Sequence, residues 1–319
     1  MTRQVAITGA TGFIGWHVAC RFRDCGWRVQ ALVRSDSDRA VPEGVERVAT
    51  ELRERAIITA CDGAHVLVHL AAATRARSDA EFRRANVDIT SEVARAAKIL
   101  GIRLVHMSSL GVTGPRDPLH PPTEDDPPRP INAYGESKRQ GELVVRNTAG
   151  LDWTMLRPTV VYGPRDRLFF PIFRLAKYGL FPVPHDAAVY NLVHANDVAR
   201  GVEAAALDGA ARGEVFFLGH PTHVTITDLL SQLAAIFGRR FRPFKVPRTA
   251  LRAAAGLGTL ASRAGWPMPL DRARLREMEA DGFVCRIDKA RDRLGFLAEI
   301  PLAEGLRQTA AWYAREQWL

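Results

Sequence analysis

Hydrophobic positions along the chain follow two periods, and their alternation defines the elements. Val5-Ala6-Ile7 is a short apolar run that predicts a buried strand. Ile14, Val18 and Phe22 then recur every four residues, which predicts a helix with one apolar face, stopped near Gly26. Further strands are predicted at Val29–Val33, Val45–Ala49, Val66–Leu70 and Leu104–Met107. A helix is expected from Asp79 to Leu100, closed by Gly101, and a Pro-rich loop from Pro115 to Pro130. Strands alternating with helices through Leu156 imply the α/β class, with a doubly wound parallel sheet of Rossmann type. In such sheets ligands sit beyond the carboxyl ends of the strands, where Gly9, Ala71 and Ser109 all fall.

Past Arg157 the rhythm loosens, because Pro158, Pro164, Pro171, Pro182 and Pro184 cut the segment into short pieces. Helices are expected at about Asn196–Leu207 and Thr227–Phe237, flanking a strand at Val215–Leu218. The last hundred residues read as a smaller, mostly helical lobe ending in an amphipathic helix from Leu302 to Trp318. The division expected is a dinucleotide-binding domain over residues 1–165, to which 190–220 return. Residues 166–189 and 221–319 form the substrate lobe. No internal repeat and no disordered tail is visible.

Composition narrows the class. With 319 residues, 47% hydrophobic and 25% charged, the chain can bury a full core of ordinary globular composition. The first residues are already a core strand rather than a signal peptide, and the apolar stretch Ala253–Ala261 is too short to span a bilayer. That stretch is read as a packed helix, with a membrane-skimming role as the lesser alternative. Cys20, Cys25, Cys61 and Cys285 lack metal-ligand spacing, so no metal site and a reducing, cytoplasmic setting are expected. The net charge of +9 is read as a solvated surface of scattered arginines that also favours an anionic cofactor, and no nucleic-acid partner is expected.

The chemistry sits in three places. In Thr8-Gly9-Ala10-Thr11-Gly12-Phe13-Ile14-Gly15, a strand runs into a turn with glycine at every third position, and a helix follows. Glycines there let a pyrophosphate approach the backbone, whose N–H groups and helix dipole favour an anion. Tyr134 and Lys138 are four residues apart at the start of a helix, and share a face. A phenol titrates near ~10, and lowering it to about 7 requires roughly 4 kcal/mol of preferential phenolate stabilisation, which a lysine ammonium and an oxidised nicotinamide can supply. Ser108-Ser109 ends a strand 25 residues upstream of Tyr134. Each pattern alone has a plain structural explanation, as a tight turn, a surface pair or a strand end; their coincidence points to a nicotinamide-dependent site.

These pieces, written ITGATGFIG, VLVHLAA, HMSSLGVTG, YGESK, LRPTVVYGP, LVHANDVA and DKARDRLGF with LAEGLRQTAAWY, resemble the extended short-chain dehydrogenase/reductase family, epimerase/dehydratase group, over nearly the whole chain. The resemblance implies a catalytic set of Ser109, Tyr134 and Lys138. Tyr134 is then the general acid/base, Lys138 the ribose ligand that lowers the Tyr134 pKa, and Ser109 the residue that orients the carbonyl. Ser109 is chosen over Ser108 because it lies five residues before Gly114. Implied cofactor contacts are the turn residues from Thr8 and Gly9 through Thr11, Gly12, Phe13, Ile14 and Gly15, together with Leu70, Ala71, Ala72, Asn86, Pro158 and Val160. Glu51 and Leu52 stand at the adenine position, with Glu in place of the family's Asp.

Val33 occupies the slot where NAD enzymes place a carboxylate, and Arg34 follows, as in the dihydroflavonol-reductase branch that this segment resembles. NADP(H) is therefore favoured and NAD(H) is the alternative. Expected substrate contacts are Thr74, Arg75, Ser109, Arg165 and Tyr190. Tyr190 stands where nucleotide-sugar members carry a diphosphate-gripping arginine, and Arg165, Arg167, Arg75 or Arg77 is the alternative source of that grip. Apolar residues around Leu168-Phe169-Phe170, Leu180-Phe181 and Leu251–Leu260 point to a less polar pocket, or equally to core. The expected function is net hydride transfer between NADP(H) and a carbonyl or alcohol of a small-molecule substrate, in a homodimer. A nucleotide-sugar epimerase or dehydratase is the alternative, and a non-catalytic NADP-sensing or RNA-binding protein a remoter one.

Overall fold

The strand–turn–helix repeats of the first half form a seven-stranded sheet. In chain order the elements are β1 (Gln4–Thr8), α1 (Phe13–Asp24), β2 (Arg28–Val33), β3 (Glu46–Ala49), α2 (Glu54–Ala60), β4 (Val66–His69), α3 (Asp79–Arg83), α4 (Ile89–Leu100), β5 (Arg103–Met107), α5 (Ala133–Asn147), β6 (Trp153–Pro158) and β7 (Val160–Tyr162). Then follow α6 (Phe170–Lys177), β8 (Phe181–Val183), β9 (Val189–His194), α7 (Ala195–Leu207), β10 (Glu214–Leu218), β11 (His223–Thr225), α8 (Ile226–Ile236), β12 (Pro243–Lys245), α9 (Arg248–Arg263), α10 (Arg272–Met278), β13 (Gly282–Phe283), α11 (Asp288–Leu294) and α12 (Leu302–Arg315). The computed structural model describes residues 2–183, 188–263, 266, 268, 270–280 and 282–319. Pro184, one of the chain-breaking prolines, lies outside the described residues.

The sheet order is β10-β6-β5-β4-β1-β2-β3, parallel throughout, as the doubly wound pattern requires. The central strands β1, β4 and β5 are buried on both faces, which is why they read as mostly apolar runs rather than alternating ones. Val5, Ile7, Val66, Val68, Val105 and Met107 face a core shared with α1, α7 and α11. Ala6, Leu67 and Leu104 face the opposite core, built with α2, α4 and α5. The strand β10, contributed from beyond residue 210, returns to this sheet beside β6.

One expectation needs correction. The helix predicted from Asp79 to Leu100 is interrupted by a π turn over Arg84–Asp88, and this wide turn carries Asn86. The C-terminal region is mostly helical, as expected, and two small sheets accompany its helices, β11-β9-β13 with β7, and β12-β8. Their strands run two to six residues and include Pro182 and Pro243, so they show too little alternation to be recognised. The apolar residues expected to line a pocket there mostly serve the lobe's own core. Phe181 is fully buried, and Phe169 and Phe170 pack beside it with Phe173, Leu306 and Tyr313.

Between β1, β4 and β5 a polar core survives. His69 Nδ1 shares a hydrogen bond with Thr8 Oγ1 (2.7 Å), its Nε2 pairs with Thr90 Oγ1 (3.1 Å), and its ring stacks on His106 with centroids 5.4 Å apart. Burial, with the nearby Lys138 charge, pulls His69 down to about 3, and lowers His106 as well. As pH falls from 6.5 towards 3, the unfolded chain binds a proton that folded His69 refuses, so stability is lost across that window. His69→Asn is therefore expected to flatten the acid limb. Urea midpoints measured between pH 6.5 and 4 should fall less steeply in this variant than in the wild type.

Candidate active site

The turn after β1 works by close approach. Gly9 adopts a left-handed φ of 76°, and a Cβ there would stand 2.6 Å from the backbone nitrogen of Ala71 at the end of β4. A Cβ on Gly15 would overlap the carbonyl oxygen of Gly9, so α1 sits against β1 only because residue 15 has no side chain. Helix α1 begins at Phe13 with Gly12 as its N-cap, no side-chain cap and no acidic residue in its first turn. Its leading N–H groups and the positive end of its dipole are thus unopposed, which fits the pyrophosphate of a dinucleotide.

The carboxyl end of β5 and the first turns of α5 form the second half of the site. Lys138 is 2% exposed and donates to the carbonyl of Met107, the last residue of β5, at 2.7 Å. Burial lowers its ammonium to about 8, with Glu142 opposing the shift. Ser109 follows β5 directly, and its Oγ accepts the N–H of Gly111 at 3.0 Å. The Tyr134 ring lies beside Ser109 against Gly111; burial raises the phenol, and the neighbouring Ser109 side chain draws it part of the way back. A Cβ on Gly135 would overlap the carbonyl of Gly111, so this glycine lets α5 press Tyr134 against the Ser109 turn. The two adjacent serines therefore part company. Ser108 turns inward and donates to Glu142 at 2.5 Å, while Ser109 meets Tyr134.

Asn86 is fully buried and ties three elements together. It accepts the N–H of Ala73 (2.8 Å), donates to the Ala73 carbonyl (2.9 Å), and donates to Ser137 Oγ (2.9 Å), which itself donates to the carbonyl of Tyr134. In this conformation it positions the tyrosine helix and the β4 exit loop. A network with no sequence signature stands behind it. Arg157 on β6 forms a bidentate pair with Glu142 on α5 (2.8 and 2.7 Å), both almost fully buried. Helix α10 was also missed. Glu277 accepts from Asn132, the N-cap of α5, at 2.5 Å, and the charges of Glu277 and Arg274 act on Tyr134. The N-cap asparagine was the only available hint of that contact.

The other expected residues fall into two groups. Leu70 and Ala71 are half-buried at the β4 exit with Ala72 exposed beside them, and Pro158 and Val160 flank the end of β6. Arg34 is exposed just beyond β2 and pairs with Asp36 at 3.5 Å, while Val33 is buried. Glu51 is exposed and pairs with Arg53, and Leu52 packs on the α2–α4 core. Thr74 and Arg75 lie exposed on the loop after β4. Arg165 is drawn elsewhere: its guanidinium lies 3.6 Å from the centroid of the Trp16 ring, and its backbone has a φ of 75°. Tyr190 sits on β9 within the lobe core, close enough to Glu277 for that charge to help burial raise its phenol. Among the described residues no group of His, Cys, Asp or Glu is arranged to hold a metal. All four cysteines are free thiols, and burial pushes Cys61 up to about 12.

A glycine turn at the first strand of a parallel sheet, facing a Tyr/Lys helix across the strand ends, defines a nicotinamide-dependent enzyme of Rossmann architecture. The chain belongs to the NAD dependent epimerase/dehydratase family, whose model matches residues 5–219, and it is an NAD(P)-dependent enzyme. It is 29% identical to the ceramide reductase of Caulobacter vibrioides, over 99% of this chain and 96% of that one. It is 31% identical to a 4-hydroxy-2-methyl-3-oxo-4-farnesyl-3,4-dihydroquinoline-1-oxide ketoreductase of Stigmatella aurantiaca, over 94% and 93%. Among solved structures, MoeE5 in complex with UDP-glucuronic acid and NAD matches with a TM-score of 0.78 at 25% identity, covering 98% and 99% of the two chains. The UDP-glucose 4-epimerase of Thermotoga maritima matches with a TM-score of 0.80 at 22% identity over 98% and 99%, which shows a shared fold.

The buried Lys138 gives a pH signature. Below about 8 both folded and unfolded chains carry its proton, and the burial cost, about 3 kcal/mol for a shift from 10.5 to about 8, stands in full. Between 8 and 10.5 only the unfolded chain stays protonated, so that cost fades and stability rises with pH. The melting temperature of Lys138→Met, relative to wild type, should therefore be most favourable near pH 7 and decline towards pH 10.

Proposed function

We propose that this chain is a net oxidoreductase that uses NADP(H) to interconvert a carbonyl and a secondary alcohol on a lipophilic small molecule without a nucleotide handle. The observation that carries this reading is the Tyr134 ring set beside Ser109 at the end of β5, both against Gly111, with Lys138 buried one turn along the same helix. In the reductive direction Tyr134 gives its proton to the carbonyl oxygen, which Ser109 holds in line, and takes one back in the oxidative direction. Residues 8–15 would hold the dinucleotide by its pyrophosphate, and the nicotinamide would supply the hydride. The Lys138 charge would stabilise the phenolate left behind. Its Nζ donates to the Met107 carbonyl, and turning to the ribose hydroxyls would exchange one acceptor for others. Residues 1–165, with 190–220 returning to them, serve the cofactor, and residues 166–189 and 221–319 serve the substrate.

The absence of a nucleotide handle rests on Tyr190, a half-buried phenol within the lobe core where nucleotide-sugar enzymes of this type carry an arginine. Arg165 and Arg167, the nearest substitutes named for it, lie over the rings of Trp16 and Trp318. A phenol cannot make the bidentate phosphate contact of a guanidinium. Two of the relatives named above act on a ceramide and on a farnesyl-bearing quinoline oxide, which is the substrate character proposed here. The epimerase/dehydratase reading is kept because MoeE5, at 25% identity, holds UDP-glucuronic acid in the same fold. Tyr134→Phe should keep its fold and cofactor affinity and lose at least about a hundredfold in turnover of a lipophilic ketone, since one proton donor is removed. Micromolar calorimetric binding of UDP, dTDP or GDP sugars would instead favour the alternative.

Cofactor preference rests on Arg34, whose guanidinium is held only by the exposed carboxylate of Asp36 and is free to exchange it for a ribose 2′-phosphate. NADPH should raise the melting temperature more than NADH at equal concentration. Arg34→Ala should erase most of that difference, a loss of about 1.5–3 kcal/mol. Equal protection of the wild type by both cofactors would overturn the NADP assignment.

A further inference from the structure

Away from the catalytic end of the sheet, charge and exposed apolar surface coincide in one place. Residues 239–276 carry ten arginines and lysines against a single acid, Asp271, a balance of +9. The rest of the chain holds 34 basic and 34 acidic residues, so this one stretch accounts for the entire net charge of +9. The expectation of scattered positive charge is therefore wrong. The two acids that follow, Glu277 and Glu279, are already paired with Arg274 and Arg252.

Helix α9 runs through this stretch and is apolar on two sides. Its inner stripe, Leu251 and Ala255, packs with Leu275 of α10 and with Val246 and Leu270. Its outer stripe, Ala253, Ala254, Leu257 and Leu260, has the spacing of one helical face and no protein covering it. Leu257 is 69% exposed and Leu260 62%, and Trp266, just past the helix, is 76% exposed. Arg248 and Arg252 are exposed on the same helix, and Arg272 and Arg276 on the neighbouring α10. Apolar side chains of this size, with a tryptophan and arginines exposed on the same two helices and their connection, are what an interfacial helix presents to lipid.

We propose that α9 and the segment leading to α10 dock this enzyme on an anionic lipid bilayer. Leu257, Leu260 and Trp266 enter the boundary between headgroups and acyl chains, and the arginines meet lipid phosphates. Charge complementarity selects this occupant. A second copy of the chain would set two basic surfaces against each other, each +7 over residues 239–279 with the paired Glu277 and Glu279 counted. A nucleic acid would satisfy the arginines yet leave the leucines in water. No helix among the described residues is long and apolar enough to cross a membrane, so the contact is peripheral. The docking face also reaches the catalytic site, because α10 packs on α9 and hydrogen-bonds the N-cap of the Tyr134 helix through Glu277. An apolar substrate dissolved in the bilayer would meet the enzyme on the side where the lobe roofs Tyr134.

Co-sedimentation of the full chain with phosphatidylcholine vesicles, with and without phosphatidylglycerol, tests this directly. Binding should require phosphatidylglycerol and weaken in high salt. The double variant Leu257→Glu/Leu260→Glu, changed only at exposed positions, should bind at least about tenfold more weakly with an unaltered melting curve. Trp266→Phe should remove most of the blue shift in emission on vesicle binding. Failure to bind anionic vesicles overturns the proposal, as does binding indifferent to the double variant. So does a dimer, or retention of RNA, that the same variant abolishes while vesicles are ignored. Protection by NADPH reads the nucleotide site alone and should be equal in wild type and double variant. Failure of the reaction proposed above is thereby distinguished from failure of docking.

Discussion

The catalytic end of this protein depends on how closely α1 approaches β1. The contact forms backbone to backbone, because any side chain at Gly15 would occupy the space of the Gly9 carbonyl. That approach sets the angle of α1 and points its uncapped amides across the strand ends. The same turn touches the end of β4 through Ala71. Three structural elements therefore meet at one point with nothing between them but main chain.

Around that point the fold buries polar groups, and several of them are tightly paired. Arg157 and Glu142 are 3% and 4% exposed, and Ser108 adds a third bond to the same carboxylate. Removing either partner would strand a buried charge, so the pair acts as a locking device joining β5, β6 and α5 rather than as a simple gain in stability. Lys138 stands one helical turn before Glu142 on the same helix, its amine on the Met107 carbonyl. Asn86 reaches the opposite side of α5 from the π turn. The tyrosine helix is thus held by hydrogen bonds on two sides, which is how a half-exposed phenol keeps a fixed relation to Ser109.

The C-terminal lobe joins the sheet through a shared apolar core as well as through specific polar contacts, since Ala290, Leu294, Phe296 and Ala298 pack with β1, β4 and β5. Asn132 caps α5 and grips Glu277 with the same side chain, so the lobe and the tyrosine helix are mechanically linked. Within the lobe, Tyr313 donates to the Asp166 carbonyl on the loop after β7 at 2.5 Å. The charges of Glu277 and Arg274 act on Tyr134 from the lobe side, and Glu277 acts on Tyr190 as well.

Much of this was legible in the sequence, and the reason is locality. The parallel sheet announces itself through short apolar runs separated by helical periods, and the cofactor turn through glycines at fixed spacing. Tyr134 and Lys138 share a face by helix geometry alone. Boundaries shifted by a residue or two, as between Asn196 and Ala195 at the start of α7. What the sequence could not show are partners brought together over long separations. Ser108 and Ser109 are chemically alike, and only the position of Glu142, 34 residues away, turns one inward. The π turn at Asn86 follows from satisfying Ala73 and Ser137 at once, a requirement no local propensity expresses. Arg165 looked available until folding laid it on Trp16. An amino-acid sequence by itself determines which residues can make an element and which chemistry they carry. Which of those side chains remain free to use that chemistry is decided only when the chain closes, because burial and pairing belong to neighbours that the linear order does not name.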